Sequence, residues 1–416
     1  MAFTLIRNGT LIDGNGGAPI PHAGVLIEDQ RIRATGALNS LAWPQGTTEI
    51  DAQGGYILPG LIDTHVHIMT EGINLQKIMS TPFSLNFYEA IGRLRRTLDA
   101  GITSVRDAGG ADLGVKQAVE QGLVAGPRMQ ISISVLTITG GHGDFYLPAG
   151  FEMPFLSGYP GNPTGRCDGV EEVRKKVREI LRAGADIIKV CSTGGVLSPT
   201  DHPEFTQFTP EELAVMVQEA TYRKGVKVMA HAQGAEGIKN AIRAGIHSIE
   251  HGIFLDDEAL ELMVKHGTWL VPTLLAPLSV LEQAQAKPGM MPEWGIRKAQ
   301  ETIEIHSESI AKAYKAGVKI AMGTDAGVMP HGTNGRELGL MCDIGMSAME
   351  AIVATTKNAA ECLGWQERVG TVEAGKLADV IISQANPLTN VRVLENPDNI
   401  VLVMKDGKVV KERRGM

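Results

Sequence analysis

Six residues that could bind or activate a metal ion are spread from position 65 to position 325. His65 and His67 stand two apart in the run GLIDTHVH. On a strand, such a pair faces one side, which suits two imidazole ligands to one ion. Alone, the pair is a weak signal and more often marks hydrogen-bonded core histidines. His231, His251 and Asp325 each follow a short apolar run, and that shared placement makes a metal site the better reading. The sixth residue, Lys189, sits inside GADIIKVCSTGG, an apolar setting where an ammonium is rarely buried without a partner. An unmodified lysine would repel cations there. A lysine kept neutral by burial, against a free pKa of about 10.4, can add carbon dioxide. The resulting carbamate is an anion with two oxygens that can bridge two metals. The plainer alternative is a lysine paired with a nearby carboxylate such as Asp107. The donor set suits two divalent ions, with zinc first and manganese or cobalt also compatible.

Residues this far apart need a scaffold that brings them together. One local unit recurs: a helical segment, a glycine, then a short β-type run. The glycines are Gly101, Gly184, Gly225, Gly245, Gly267 and Gly317. In VEEVRKKVREILRAG, Val170, Val173, Val177, Ile180 and Leu181 can share one helix face. The runs after the glycines are almost continuously apolar, as expected of strands buried on both faces. Adding strands at 60–67 and 129–137 gives eight units, which predicts a (β/α)8 barrel. A doubly wound open sheet is the structural alternative. The polar residues favour the barrel, because all its strands end at one face. Residues 1–57 and 371–416 read instead as short strands with turns. They are expected to pair into one small β-sandwich domain beside a barrel of residues 58–370.

Bulk properties narrow the function. The chain has 416 residues, 39 Lys and Arg against 47 Asp and Glu, and a formal charge of -8. Charges are interspersed, and the one basic cluster, KDGKVVKERRG, reads as a solvated strand end, so no nucleic-acid partner is expected. No apolar run approaches the roughly 18 residues of a membrane helix, so no membrane partner is expected either. The start lacks a secretory pattern. Cys167, Cys191, Cys342 and Cys362 lie far apart, as in a reduced cytoplasmic protein. A homo-oligomer acting on a small-molecule amide is expected.

With these motifs assembled, the chain resembles the amidohydrolase superfamily in its binuclear, lysine-carbamate branch. PGLIDTHVH (59–67), GTDAG (323–327) and GTVEAGKLADVIISQANPL (370–388) carry that likeness. SVRDAGG, TGGHGDF, IKVCSTGGVLSP, AHAQGAEGI and SIEHG narrow it to the peptidase-type members often labelled Xaa-Pro dipeptidases. Ochratoxin-type and phenylurea-type amide hydrolases are relatives of that group. The resemblance implies that His65, His67 and Asp325 bind the more buried metal and that His231 and His251 bind the second. Carbamylated Lys189 and a hydroxide would bridge them. Asp325 would act as general base and then acid. Such relatives commonly carry a tyrosine two residues after the strand-five histidine. Here that position is Gln233, which can still donate a hydrogen bond.

The remaining candidates concern substrate. His142, in TGGHGDF, could reach the site from a loop and hydrogen-bond an oxyanion or a substrate carboxylate. His331, Asn334 and Arg336 in loop eight are further substrate-contact candidates. Residues 274–295 read as a long loop able to act as a lid, with Met290, Met291 and Trp294 over an apolar leaving group. His22, His202, His247, His266 and His306 are read as structural or surface histidines. The lead expectation is hydrolysis of dipeptides or N-acyl amino acids. The alternatives are an aryl-urea, carbamate or ester hydrolase on the same centre and a mononuclear deaminase or imidazolonepropionase-like enzyme. A structural relative without catalysis would lack ligands, and none is missing.

Overall fold

Polar side chains from distant parts of the chain meet here because one barrel closes on itself. The computed structural model describes all residues except 73, 145, 147–149, 151–157, 290 and 414–416, and the side chains of 75, 76 and 78. The chain opens with β1 (Phe3–Leu11), β2 (Ile20–Glu28), β3 (Arg31–Ala37), β4 (Thr48–Asp51) and β5 (Tyr56–Pro59). The barrel strands follow: β6 (Leu61–Val66), β7 (Ile102–Asp107), β8 (Arg128–Ile131) and β9 (Val135–Leu136). Next come β10 (Ile187–Cys191), β11 (Lys227–Ala232), β12 (Ser248–His251), β13 (Trp269–Val271) and β14 (Lys319–Ile320). The chain ends with β15 (Val380–Ser383), β16 (Ile400–Lys405) and β17 (Lys408–Glu412).

Neighbouring barrel strands pair in parallel through β6, β7 and β8 and through β9 to β14. Closure comes from backbone bonds between the first strand and the segment after β14. Thr64 N donates to Met322 O at 3.0 Å and Asp325 N to His65 O at 2.8 Å. The third strand is one sequence run but two ladder segments. Ile133 between them has φ +66, so the chain turns before β9. The recurrent glycines all take positive φ, from +66 at Gly267 to +101 at Gly184, which lets each helix stop and turn into its strand without a Cβ clash. The helix Val170–Arg182 buries Val173, Val177 and Ile180, as its periodicity predicts.

The expected loop at 274–295 is mostly helical, and this corrects the lid reading. Leu275–Ala286 is a helix, and Glu293–Lys315 follows it. Pro277 falls in the first helical turn, where a missing N–H costs little. The start is held from elsewhere: the Glu337 carboxylate accepts Leu274 N at 2.8 Å and Leu275 N at 2.9 Å. Met291 is buried, and Met290 lies outside the described residues.

Strands from both chain ends form one sheet in the order β17-β16-β15-β5-β1-β2-β3, with β4 on β1. It encloses its own core of residues such as Ile6, Val25, Ile57, Val380, Ile382 and Leu402. Arg128 joins this sheet to the barrel through Asp379 (2.6 Å) and Asp406 (2.5 Å). No helix among the described residues is long and apolar enough to cross a membrane.

Candidate metal centre

Alternation along β6 sends Asp63 and His65 to one side, and His67 follows just past the strand end. Asp63 is a brace rather than a ligand. Its carboxylate accepts His65 N (3.0 Å), Thr324 N (3.1 Å), Thr324 Oγ1 (2.6 Å) and Asn334 Nδ2 (2.7 Å). It thereby ties the first strand to the segment that carries Asp325.

Each of the four site histidines has one ring nitrogen engaged by an oxygen acceptor. His65 Nδ1 lies 2.7 Å from Glu250 Oε2, and His67 Nδ1 2.9 Å from Gly109 O. His231 Nε2 lies 2.9 Å from Gly194 O, and His251 Nδ1 2.7 Å from Thr273 Oγ1. This arrangement fixes ring orientation and turns the second nitrogen inward, as metal-binding imidazoles require. Glu250 is itself held by Arg106 Nη2 at 2.9 Å and Ser248 Oγ at 2.6 Å, all fully buried.

The inward nitrogens meet Asp325 and Lys189. Asp325 Oδ1 is 3.2 Å from His67 Nε2 and 3.5 Å from His65 Nε2. Lys189 Nζ is 3.4 Å from His65 Nε2. Ligand atoms of His65, His251 and Asp325 all lie within 4.8 Å of one another. Ring centroids step from His65 to His251 at 5.2 Å and from His251 to His231 at 4.6 Å. All six sequence candidates therefore converge.

Backbone conformation explains part of this. His251 has φ +74 and Asp325 φ +62. In a regular strand Glu250 and His251 would face opposite sides; the left-handed turn lets the carboxylate contact His65 while the next ring also points at it.

The electrostatics suit a cation. Burial holds the His65, His231 and His251 pKa values well below the usual range, which keeps the rings in the neutral form that binds metals. Burial lowers that of Lys189. At His67 burial acts the same way, but the Asp325 carboxylate outweighs it and raises the ring's pKa. At Asp325 burial favours the acid, yet His65 and His67 hold its pKa below the ordinary value. Asp107 is not the partner of Lys189: its oxygens accept Ile68 N, Gly109 N and Ala111 N. The donor set, its supporting acceptors and its charge fit divalent ions.

The centre lies at the base of a cavity of about 250 Å³. Its wall includes Ile133, Val135, Val196, Ile253, Val280 and Trp294, so it is apolar with polar groups at one end. His142 reaches this cavity and stacks on His231, with centroids 4.1 Å apart and planes at 19°. Burial pushes its pKa down to about 4. Gln233 also lines the cavity, and its Oε1 has no hydrogen-bond partner among the described residues.

The loop-eight expectations need correction. His331 is buried, with Nε2 3.0 Å from Thr70 O and 3.2 Å from His67 O, so it braces the backbone behind His67. Asn334 serves Asp63, and Arg336 pairs with Glu282 at 2.6 Å on the surface. His247 is structural, with Nε2 2.9 Å from Cys362 O. His306 was not expected at the site. Its Nε2 donates to His251 O at 2.9 Å, and the residue lines the cavity. Glu250 and Arg106 were missed as well. An acid in the buried run SIEH and a base in SVRD signal a pair, because neither charge could be buried alone.

The sequence profile described as the amidohydrolase family matches residues 56–410. The ochratoxinase of Aspergillus niger is 36% identical, over 98% of this chain and 86% of that protein. Among solved structures, an amidohydrolase superposes with a TM-score of 0.92 at 36% identity, covering 100% of both chains. A Xaa-Pro dipeptidase with bound methionine in its active site gives 0.89 at 36% identity, over 99% of this chain and 100% of that one. A barrel of this topology, with these histidines, Lys189 and Asp325 at the ends of its strands, and with likeness running through the whole chain, belongs to the amidohydrolase family.

Proposed function

We propose that this protein hydrolyses the amide bond of dipeptides or N-acyl amino acids at a site for two divalent ions. The observation that carries the reading is the convergence of His65, His67, His231, His251, Lys189 and Asp325 on one end of a largely apolar cavity. The first four and Asp325 would hold the ions, with Lys189 bridging them as a carbamate. Its burial supports that role, because only the neutral amine adds carbon dioxide. Bound there, the ions would supply Lewis acidity and lower the pKa of water toward neutrality.

The chain's own groups then divide the work. Asp325 would take a proton from the attacking water and return it to the departing amine nitrogen. Gln233 offers its side-chain amide to the substrate from the end of β11. The apolar wall excludes water and accepts a hydrophobic side chain or acyl group. A second reading, cleavage of aryl ureas, carbamates or esters, draws support from that same wall. It carries no arginine, and Lys189 is its one lysine among the described residues, so a substrate without a carboxylate also fits.

The test is metal-loaded protein assayed against dipeptides, N-acyl amino acids and aryl ureas, with metal content measured in parallel. Amide cleavage with about two ions per chain is expected. Cleavage of ureas or carbamates alone would overturn the lead substrate class. The Lys189→Ala variant should lose metal and about 10³-fold or more in kcat together; full activity in it would sink the carbamate.

A further inference from the structure

Part of the cavity wall is assembled from two elements far apart in the chain. Trp294 stands in the first turn of the helix Glu293–Lys315, and Val196, Leu197 and Pro199 belong to the loop that follows β10. All four line the cavity. The helix packs directly on that loop: a Cβ at Gly295 would fall 3.5 Å from Leu197 Cδ2.

What joins the two is a charge buried behind the wall. Lys298 lies about one helical turn after Trp294 and is 2% exposed. Its Nζ donates to three backbone carbonyls: Gly195 O (2.9 Å), Ser198 O (2.8 Å) and Asp201 O (2.5 Å). Three acceptors use every proton of an ammonium, and a neutral amine would leave one of them without a donor. Asp201 Oδ1 lies 3.4 Å from the same nitrogen, and the Trp294 ring centroid lies 5.8 Å away, within cation–π range. Carbonyl oxygens do not turn toward one point without a positive centre between them. Carbonyls and a carboxylate are the donors that proteins offer to hard metal cations, and here a lysine ammonium takes the ion's place. Without it, the same oxygens and the buried Asp201 carboxylate would face one another unpartnered. The path of residues 195–201 therefore depends on the cation.

We propose that Lys298 is a positioning residue that acts as a tethered cation. Its ammonium holds residues 195–201 against Trp294 and so shapes the apolar subsite that selects the substrate's hydrophobic group. Lys298 stands behind this wall and does not touch substrate. The selectivity part of the inference rests on the cleft being the site of amide hydrolysis; the loop's dependence on a cation does not.

Hydrogen exchange read by mass spectrometry on the full-length protein tests the loop directly. Lys298→Met keeps an apolar side chain of similar length and removes the charge. Peptides covering 195–201 should exchange at least about 10-fold faster in it than in wild type, with the barrel strands unchanged. Lys298→Ala should behave alike, and n-propylammonium, which replaces the missing carbons and nitrogen, should restore protection where n-propanol does not. If Lys298→Met folds poorly, Lys298→Ala purified with n-propylammonium serves, and protection should fall when the amine is dialysed away. In the metal-loaded protein, Lys298→Met should raise KM for N-acetylphenylalanine roughly 10-fold and leave kcat, metal content and KM for N-acetylglycine little changed. Wild-type exchange at 195–201 in these variants overturns the proposal whatever the substrate proves to be. So does equal restoration by n-propanol, which would mean packing rather than charge. A loosened loop with an unchanged ratio of the two KM values overturns the selectivity. Failure of the wild-type protein to cleave any amide would fall on the function proposed above, and the exchange experiment would still decide the role of Lys298.

Discussion

At the N-terminal end of the barrel, Arg128 is held by Asp379 and Asp406 of the small sheet, and Ser104 Oγ accepts a further bond at 2.9 Å. At the other end, Arg106 is held by Glu250, which in turn holds His65. Both are buried arginine–carboxylate pairs with similar geometry. The first closes on itself and joins two bodies of the fold. The second hands its constraint to a ring whose other nitrogen faces Asp325 and Lys189. What separates a stabilising pair from a functional one is therefore the group at the end of the chain of hydrogen bonds. Conventional barrels follow the same division, with stability at one face and chemistry at the other.

Breaking either pair should make that difference measurable. Arg106→Met leaves Glu250 buried without its cation and should cost about 3–5 kcal/mol in urea unfolding. It should also weaken metal binding about 10- to 100-fold, because Glu250, the acceptor that orients His65, loses the arginine that holds it; unchanged metal affinity would undo the comparison. Arg128→Met should cost less, about 2–3 kcal/mol, and leave the metal content and kcat of the folded protein as they were.

A smaller effect sharpens the contrast between buried acids. Burial pushes Glu337 up to about 8 from an ordinary 4.5. The folded state thus binds this proton more tightly than the unfolded chain does. The contribution is full below about pH 4.5 and fades as pH rises through about 8. Wild-type stability relative to Glu337→Gln should therefore decline between pH 5 and pH 8 in paired denaturant titrations. A flat difference would mean that the two N–H donors of Leu274 and Leu275 offset the burial. The smallest expected effect is chemical. Burial raises the Cys167 thiol to about 12 and Cys362 to about 11. Neither should react with a thiol reagent at pH 8 until the protein unfolds.

The convergence of the candidate ligands was legible because each ends an apolar run and because strand alternation alone places His65 and His67 together. The barrel was legible from the same runs and their glycines. Residues 275–286 were not, because the length of the 274–295 stretch and the glycines and prolines of AKPGMMPEWG suggested a loop. The cap that starts this helix comes from Glu337, some sixty positions away in the chain. His331 and Asn334 misled for a related reason. A loop residue of catalytic type looks the same in sequence whether it faces substrate or braces Asp63 and the backbone behind His67. His306 and Lys298 share one long helix whose periodicity marks them only as inward-facing. Their partners are backbone carbonyls, which no residue type announces.

The left-handed backbone at His251 and Asp325 has a consequence for how this protein can be improved. Holding a non-glycine residue there costs about 1–3 kcal/mol each, and glycine would release much of it. A His251→Gly protein should therefore resist heat better than the metal-free wild type while losing a candidate ligand. A screen that selects for melting temperature alone would drift toward erasing the active centre. On the metal-dependent reading proposed above, thermostabilisation is best run with metal present, so that binding energy rewards the strained conformers that would hold the ion.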